Sequence, residues 1–250
     1  MAIIVGPGIS VGAGITIQSF VPVGSAVFSS ASAKYLTAPA DVGFNFGTND
    51  FTLELWAYPT NLASGTSDML VMQNGNAYMI VGQANTDGRV RANWNDTPTT
   101  GSPFNSITSA AGTLAQNSWQ HICTMRSGTS YSLFINGVCR ASTTGAGIGT
   151  AQMGSSALPW TIGSDSGGNR FNGNISNLRI VNGSLVYTFG TTVGTTYFTP
   201  PTTNLTAITN TQLLLNTATA GTYITDSSAN NATVTVTGTP VWSASNPFGL

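Results

Sequence analysis

Charge is scarce in this chain. Lys, Arg, Asp and Glu together make up 6% of its 250 residues, against about a quarter in an average soluble protein. Seven basic and eight acidic side chains leave a net charge of -1, and no Lys/Arg cluster is present to displace counterions from a nucleic acid backbone. This argues against nucleic acid as a partner. So weak a field also cannot steer a partner from afar, so contacts rest on short-range packing and neutral hydrogen bonds, which salt screens little. Ser, Thr, Asn and Gly fill the positions that charges usually take. Such a surface suits neighbours in a large assembly, or neutral sugars.

Histidine occurs once, as His121. Counting alone therefore removes every histidine-based triad and every histidine-rich zinc site. His121 alternates with Trp119, Cys123 and Met125, which points to a packed, hydrogen-bonded imidazole. Long apolar runs are also missing: nothing approaches the ~18 residues a spanning helix needs, so no membrane insertion is expected. The opening MAIIVGPGISVGAGITI has no basic n-region and is broken by Gly6, Pro7, Gly8, Gly12 and Gly14, so it does not read as a signal peptide. The expectation is synthesis in a cytoplasm.

There are two cysteines. HICTMR, SGTS and YSLFINGVC read as a hairpin centred near Gly128 and Thr129, with Cys123 opposite Phe134. Cys139 then falls about five residues off register, roughly 17 Å at strand rise and beyond the ~7 Å limit for bridging. Two free thiols follow, as a reducing compartment would allow.

What the chain does contain is a period-six repeat followed by short strands. VGPGIS (Val5 to Ser10) is followed by VGAGIT (Val11 to Thr16), β-branched residues around Gly-x-Gly pairs where backbones can approach closely. Two units are too few for a solenoid. Residues 1–24 are read as a glycine-rich N-terminal assembly arm, with Val5, Gly6, Pro7, Gly8, Ile9, Val11, Gly12, Gly14 and Ile15 as its contact residues. From Ala26 on, turn residues recur every 8 to 12 positions and no helical period appears, the pattern of a sandwich. SAVF, KYLTA, FTLELWAYP, MLVMQ, AYMIVG, RVRANW, WQHICTM, YSLFING, PWTIG, NISNLRIV, LVY, QLLLN and ATVTVTG are the candidate strands. In FTLELWAYP, Phe51, Leu53 and Leu55 face one way and Thr52, Glu54 and Trp56 the other, and both faces are bulky enough to be covered. TPPTT (Thr199 to Thr203) is a break, since prolines donate no ladder bonds. Residues 204–250, with an Asp-Ser-Ser-Ala-Asn-Asn turn, are expected to add strands to a sandwich spanning 25–250.

Three motifs in order carry a resemblance. FSSASAKYLTAPADVGFNFGTNDFTLELWAYPT, SWQHICTMRSGTSYSLFINGVCRAS and WTIGSDSGGNRFNGNISNLRIVNGSLVY together resemble the laminin G-like, concanavalin A-like lectin/glucanase superfamily over Ala26 to Pro201. The resemblance implies an all-β jelly-roll sandwich of two antiparallel sheets. More narrowly, Phe198 to Thr202, Leu213 to Asn216, Asp226 to Ser228 and Asn246 to Phe248 resemble segments of laminin G-like structural proteins of tailed, marine bacteriophage virions. That similarity implies a virion structural protein, as a capsid decoration, tail fibre or other appendage. Its partners would be other virion proteins and copies of itself, with a trimer as the expected oligomer. Adhesion to a host-surface glycan would be a secondary role. A carbohydrate-binding module or bacterial adhesin is the alternative.

The glycoside hydrolases of the superfamily place carboxylates on one strand as E-x-D-x-x-E. Two such groups must flank the scissile bond. Here Glu54 is the only glutamate, with no partner along its strand and Asp50 in the preceding turn, so no enzyme and no catalytic residue is expected. Calcium, which many laminin G-like domains hold, would find only Asp68, Asp96 and Asp165, scattered in loops without a dense acidic motif. No cofactor or metal site is therefore expected. A sugar site needs an aromatic platform beside amides. Trp94, Asn95 and Asp96 have that composition, with Asn169 and Arg170 as added donors. Arg89 and Arg91, at i and i+2, read as a solvated strand edge rather than an anion site.

Overall fold

The computed structural model describes residues 23–29, 33–62, 68–73, 79–83, 87–94, 105–155, 157–164 and 169–249, with the backbone alone at 68, 69, 79, 80 and 83. Residues 1–22, with the arm contacts Val5 to Ile15, lie outside the described residues, as do Asn95, Asp96 and Asp165.

Of that arm, Val23 and Gly24 alone are described.

Among the described residues, seventeen strands, in chain order, make up almost all of the regular structure. The first half carries β1 (Ser25–Phe28), β2 (Tyr35–Ala38), β3 (Asn45–Gly47), β4 (Phe51–Pro59), β5 (Asp68–Gln73), β6 (Met79–Gln83), β7 (Val90–Trp94) and β8 (Asn105–Thr108). Then come β9 (Gln120–Ser127), β10 (Ser130–Ile135), β11 (Val138–Thr144), one short helix α1 (Ala146–Thr150), β12 (Met153–Gly154), β13 (Trp160–Ile162) and β14 (Gly173–Asn182). The C-terminal stretch adds β15 (Thr211–Leu215), β16 (Thr235–Thr237) and β17 (Val241–Ser243).

The pairing is antiparallel throughout and gives two large sheets. Sheet one runs β11-β10-β9-β4-β14-β1-β17, with β15 also on β14; sheet two runs β16-β2-β13-β5-β6-β7-β8, and β12-β3 form a small pair. This is a jelly-roll sandwich of two antiparallel sheets. Alternation along the strands decides what lies between them: Phe51, Leu53, Leu55 and Ala57 of β4 join Leu36, Val71, Val81, Trp160 and Ile180 in the core. Phe46 stacks on Phe51 with ring centroids 4.6 Å apart.

Strand β14 breaks the alternation. Between Ser176 and Arg179 its register to β4 shifts, and Asn177 takes a positive φ of 52°. A bulge inserts one residue and re-aims the side chains beyond it. Leu178 thus joins Ile175 and Ile180 in the core, while Arg179 comes opposite Glu54. The buried Asn177 side chain donates to Ser176 Oγ and accepts from the Leu205 amide, at 2.8 Å each.

The outer face of sheet one is covered by the irregular chain that follows β14. Cys123, Met125, Phe134 and Cys139 form a second apolar cluster there, under Leu185, Tyr187, Phe189, Tyr197 and Phe198. Tyr187 stacks on Phe198 at 4.2 Å. The same chain closes the edge of the sheet: Cys139 N–H donates to Thr195 O and Tyr197 N–H to Gly137 O, both at 2.9 Å. Leu-Val-Tyr 185–187, expected to be a strand, is part of this cover. It forms no ladder: its backbone meets the sheet through a side chain, Val186 N–H donating to Thr52 Oγ1 at 3.1 Å and Thr52 Oγ1 donating to Ser184 O at 3.2 Å.

The cysteines are free and buried, but the reason differs from the expected one. Cys123 does pair with Phe134. Asn136 and Gly137, with φ of 52° and 77°, then turn the chain tightly, so Cys139 also pairs with Phe134 from the other side. The two cysteines are therefore two strand spacings apart, about 9.6 Å, still beyond bridging distance.

Candidate functional site

The sole glutamate sits in a buried ionic cluster on the covered face of sheet one. Glu54 Oε1 accepts from Arg179 Nε at 2.8 Å and Nη2 at 2.6 Å. Glu54 Oε2 accepts from Tyr187 O–H at 2.6 Å and lies 2.9 Å from His121 Nε2. Register brings these groups together: Glu54 is opposite Arg179 on one side and Cys123, next-but-one to His121, on the other. Burial pushes the Glu54 carboxyl up, but the hydrogen bond and charge of His121, the Arg179 charge and the Tyr187 hydroxyl outweigh it and hold it below its ordinary value. Burial and the neighbouring Glu54 charge push Tyr187 upward. Both Glu54 and His121 are 0% exposed, and both Glu54 carboxylate oxygens are engaged. The arrangement clamps the cover to the sheet and leaves no carboxylate for a substrate.

An open site lies elsewhere, at the side where β8 of sheet two meets β11 of sheet one. A cleft of about 270 Å³ is lined by Trp94, Asn105, Ser106, Thr143, Thr144, Gly145, Gly147 and Ile148. Among the described residues that line it, none carries a charged side chain. Its mouth is kept open by two glycines: a Cβ at Gly145 or Gly147 would meet nothing within 4 Å. The wall beyond α1 is braced by Arg126, whose Nη1 donates to Gly47 O and Ala151 O at 2.8 and 2.9 Å and Nη2 to Gly149 O at 3.0 Å. Burial pulls this guanidinium's pKa down, with the Asp50 charge opposing. Hydroxyls, an amide and an apolar floor equip the cleft for a small neutral polar ligand.

The expected sugar residues fare unequally. Trp94 reaches this cleft, but the expectation of an exposed ring is corrected: it is 3% exposed and packs edge-on to Tyr131 at 5.1 Å. Val90, Ala92 and Trp94 are the inward positions of β7, so the indole floors the cleft rather than forming a platform. Asn169 and Arg170 follow β13, which stands three strands from β7 in sheet two. They also extend toward the Val90 end of the sheet, since Ile162 is level with Val71, Val81 and Ala92. They do not join Trp94. Asp68, expected in a loop, opens β5 opposite Gln83. Among the described residues no group of three or more His, Cys, Asp and Glu is placed to hold a metal.

Thr143, Thr144, Asn105 and Ser106 had no distinguishing signal in a sequence full of neutral polar residues. Arg89 and Arg91 also need correction. β7 is an interior strand, between β6 and β8. Arg89 precedes it and pairs with Asp87 at 2.8 Å, whereas Arg91 is partly buried within the strand.

Among solved structures, the chain is similar to a putative carbohydrate binding protein from Bacteroides ovatus, with TM-score 0.56 and 15% identity, covering 94% of this chain and 67% of that one. It is similar to domain 4 of an extracellular arabinanase from Geobacillus stearothermophilus, solved with arabinotriose, with TM-score 0.50, 19% identity and coverage of 65% and 72%. A mouse laminin α1 chain, domains LG4-5, gives TM-score 0.47 at 16% identity, covering 64% of this chain and 41% of that one. These likenesses concern the fold. No curated protein matches the sequence. A laminin G-type family model matches residues 30–188, well over half of the chain. With the sandwich and its register, that match makes the chain a member of the concanavalin A-like lectin/glucanases superfamily.

Proposed function

We propose that this is a structural protein of a bacteriophage particle that displays a non-catalytic, glycan-contacting sandwich, held to the particle by its N-terminal arm. The observation that carries the glycan part is the neutral cleft between β8 and β11, built from hydroxyls, an amide and the Trp94 floor. The carbohydrate-related names of two fold neighbours with TM-scores of 0.50 and above support the same reading. The sealed Glu54 cluster supports a binding role over a hydrolytic one.

The virion part rests on the sequence segments that resemble phage structural proteins, and the fold gives them work to do. Phe198 belongs to the cover of sheet one, Leu213 to Leu215 lie in β15, and Phe248 packs edge-on to Trp56 at 5.9 Å. Asp226 anchors its turn by accepting from the Leu214, Ser228 and Ala232 amides. Arm residues Val5 to Ile15 would join copies of the chain, as a trimer, or bind other virion proteins by strand addition. A capsid decoration, a fibre and another appendage are equally served by this design. Removal of residues 1–19 tests the anchoring: the shortened chain should fold, with an unchanged melting point, and be absent from purified particles. Full incorporation without the arm would discard it. The second reading, a free-standing carbohydrate-binding module or adhesin, is favoured by the cleft alone and predicts glycan binding without any particle association.

A further inference from the structure

The outward face of β7 carries two polar groups that the fold leaves unanswered. Alternation turns Arg91 and Asn93 away from the core, to which Val90, Ala92 and Trp94 belong. Arg91 Nε and Asn93 Oδ1 are both buried and neither has a hydrogen-bond partner. Asn93 is only 9% exposed, and no ion pair reaches Arg91 among the described residues. A buried guanidinium N–H and a buried amide oxygen left unpaired oppose folding, and such groups persist where a ligand or function uses them.

Their neighbours are arranged to admit one. In register, Thr108 stands beside Arg91 and Ser106 beside Asn93 on β8. On the other flank Arg91 faces Gly82 of β6, which adds no side chain beside the guanidinium. A glycine inside a strand commonly marks close approach by a ligand or another backbone. A guanidinium presents a planar fork of donors that matches a carboxylate. One strand step away, an amide oxygen accepts from a hydroxyl, and Thr108 and Ser106 offer more hydroxyl contacts.

We infer that Arg91 and Asn93, with Thr108 and Ser106, form a second subsite on the outer face of sheet two that takes the carboxylate and adjacent hydroxyl of a uronic-acid sugar. The subsite deepens the glycan-binding reading and rests on it. Ser106 also lines the β8–β11 cleft, so an oligosaccharide can place a neutral ring in the cleft and its acidic ring over β7.

The test is a panel of uronate-containing, sulfated and neutral oligosaccharides, titrated calorimetrically into the whole chain. Uronate-containing members should bind most tightly, and Arg91→Gln should weaken them at least about tenfold, the loss expected of a charge-assisted pair. Arg91→Lys should recover less than half of that loss, because it restores the charge without the fork. Asn93→Ala should also weaken uronate binding, and Arg89→Gln, which removes a residue already paired with Asp87, should not. Arg91→Gln should melt no lower than the wild type, since it removes an unpaired cation, whereas a purely structural arginine would lower the melting point. Neutral members should bind both forms equally. Uronate binding untouched by Arg91→Gln, a preference for sulfated over uronate sugars, or absence of uronate binding while neutral glycans bind would each overturn the subsite. Absence of binding across the whole panel would overturn the glycan reading itself.

Discussion

Replacing Glu54 by Gln removes one negative charge from a site where both carboxylate oxygens are used and the group is 0% exposed. The amide keeps the shape but leaves Arg179, 5% exposed, without its counter-ion, and turns an acceptor into a donor facing donors. Breaking a buried pair by removing one partner costs about 3–5 kcal/mol. For a chain of this size each kcal/mol lowers the melting point by roughly 2–4 °C, so a fall of about 6–20 °C is expected. Thermal unfolding followed by circular dichroism measures it. Adding Arg179→Met should restore most of the loss, because a neutral, well-packed replacement no longer strands a charge. The pH dependence has a defined sign. Folding holds the Glu54 pKa below its ordinary 4.5, so its contribution is complete above pH 4.5 and shrinks as pH falls through the lowered value. The gap between wild type and Glu54→Gln should therefore narrow only in acid. A Glu54→Gln melting point within about 2 °C of wild type at neutral pH would refute the clamp.

Other consequences are independent of that cluster. Asp226, 3% exposed, accepts from three amides and the Ser228 hydroxyl, so Asp226→Ala should lose at least about 2 kcal/mol in urea unfolding. Phe248→Ala should remove an edge-to-face contact worth about 0.5–1.5 kcal/mol beyond its buried area, and shift the Trp56 emission to the red. Cys123 and Cys139 are buried, and burial raises the pKa of both. An aromatic disulfide reagent should therefore titrate neither thiol in the native protein and both after denaturation.

The inner and outer faces of β4 were legible because period-two alternation in FTLELWAYP is unbroken, and both faces proved covered. So was the turn at Gly128. Two local irregularities were harder. Asn136-Gly137 is a strong hairpin signal, yet inside YSLFINGVC it reads as the end of one long strand, and that shifted Cys139 in the expectation. The β14 bulge is written in its core residues Ile175, Leu178 and Ile180, spaced by three and then two, a break that only a shift of register explains. β8 offered little, as Asn-Ser-Ile-Thr holds a single apolar residue. The cleft was least legible of all: its residues come from β7, β8, β11 and α1, which topology alone brings together, and they are of the commonest types in the chain. Arg91 looked like a solvated edge because nothing in the sequence reveals that β8 covers the flank of β7.

The β8–β11 cleft is proposed to hold glycans without cleaving them. A glycan array probed with the wild-type chain and with Gly147→Trp tests it most directly, since Gly147 lines the cleft and a Cβ there meets nothing within 4 Å. Wild type should retain a discrete set of intact glycans that Gly147→Trp, equally stable, fails to retain. Binding unaffected by Gly147→Trp, or no glycan bound by the folded wild type, would contradict it.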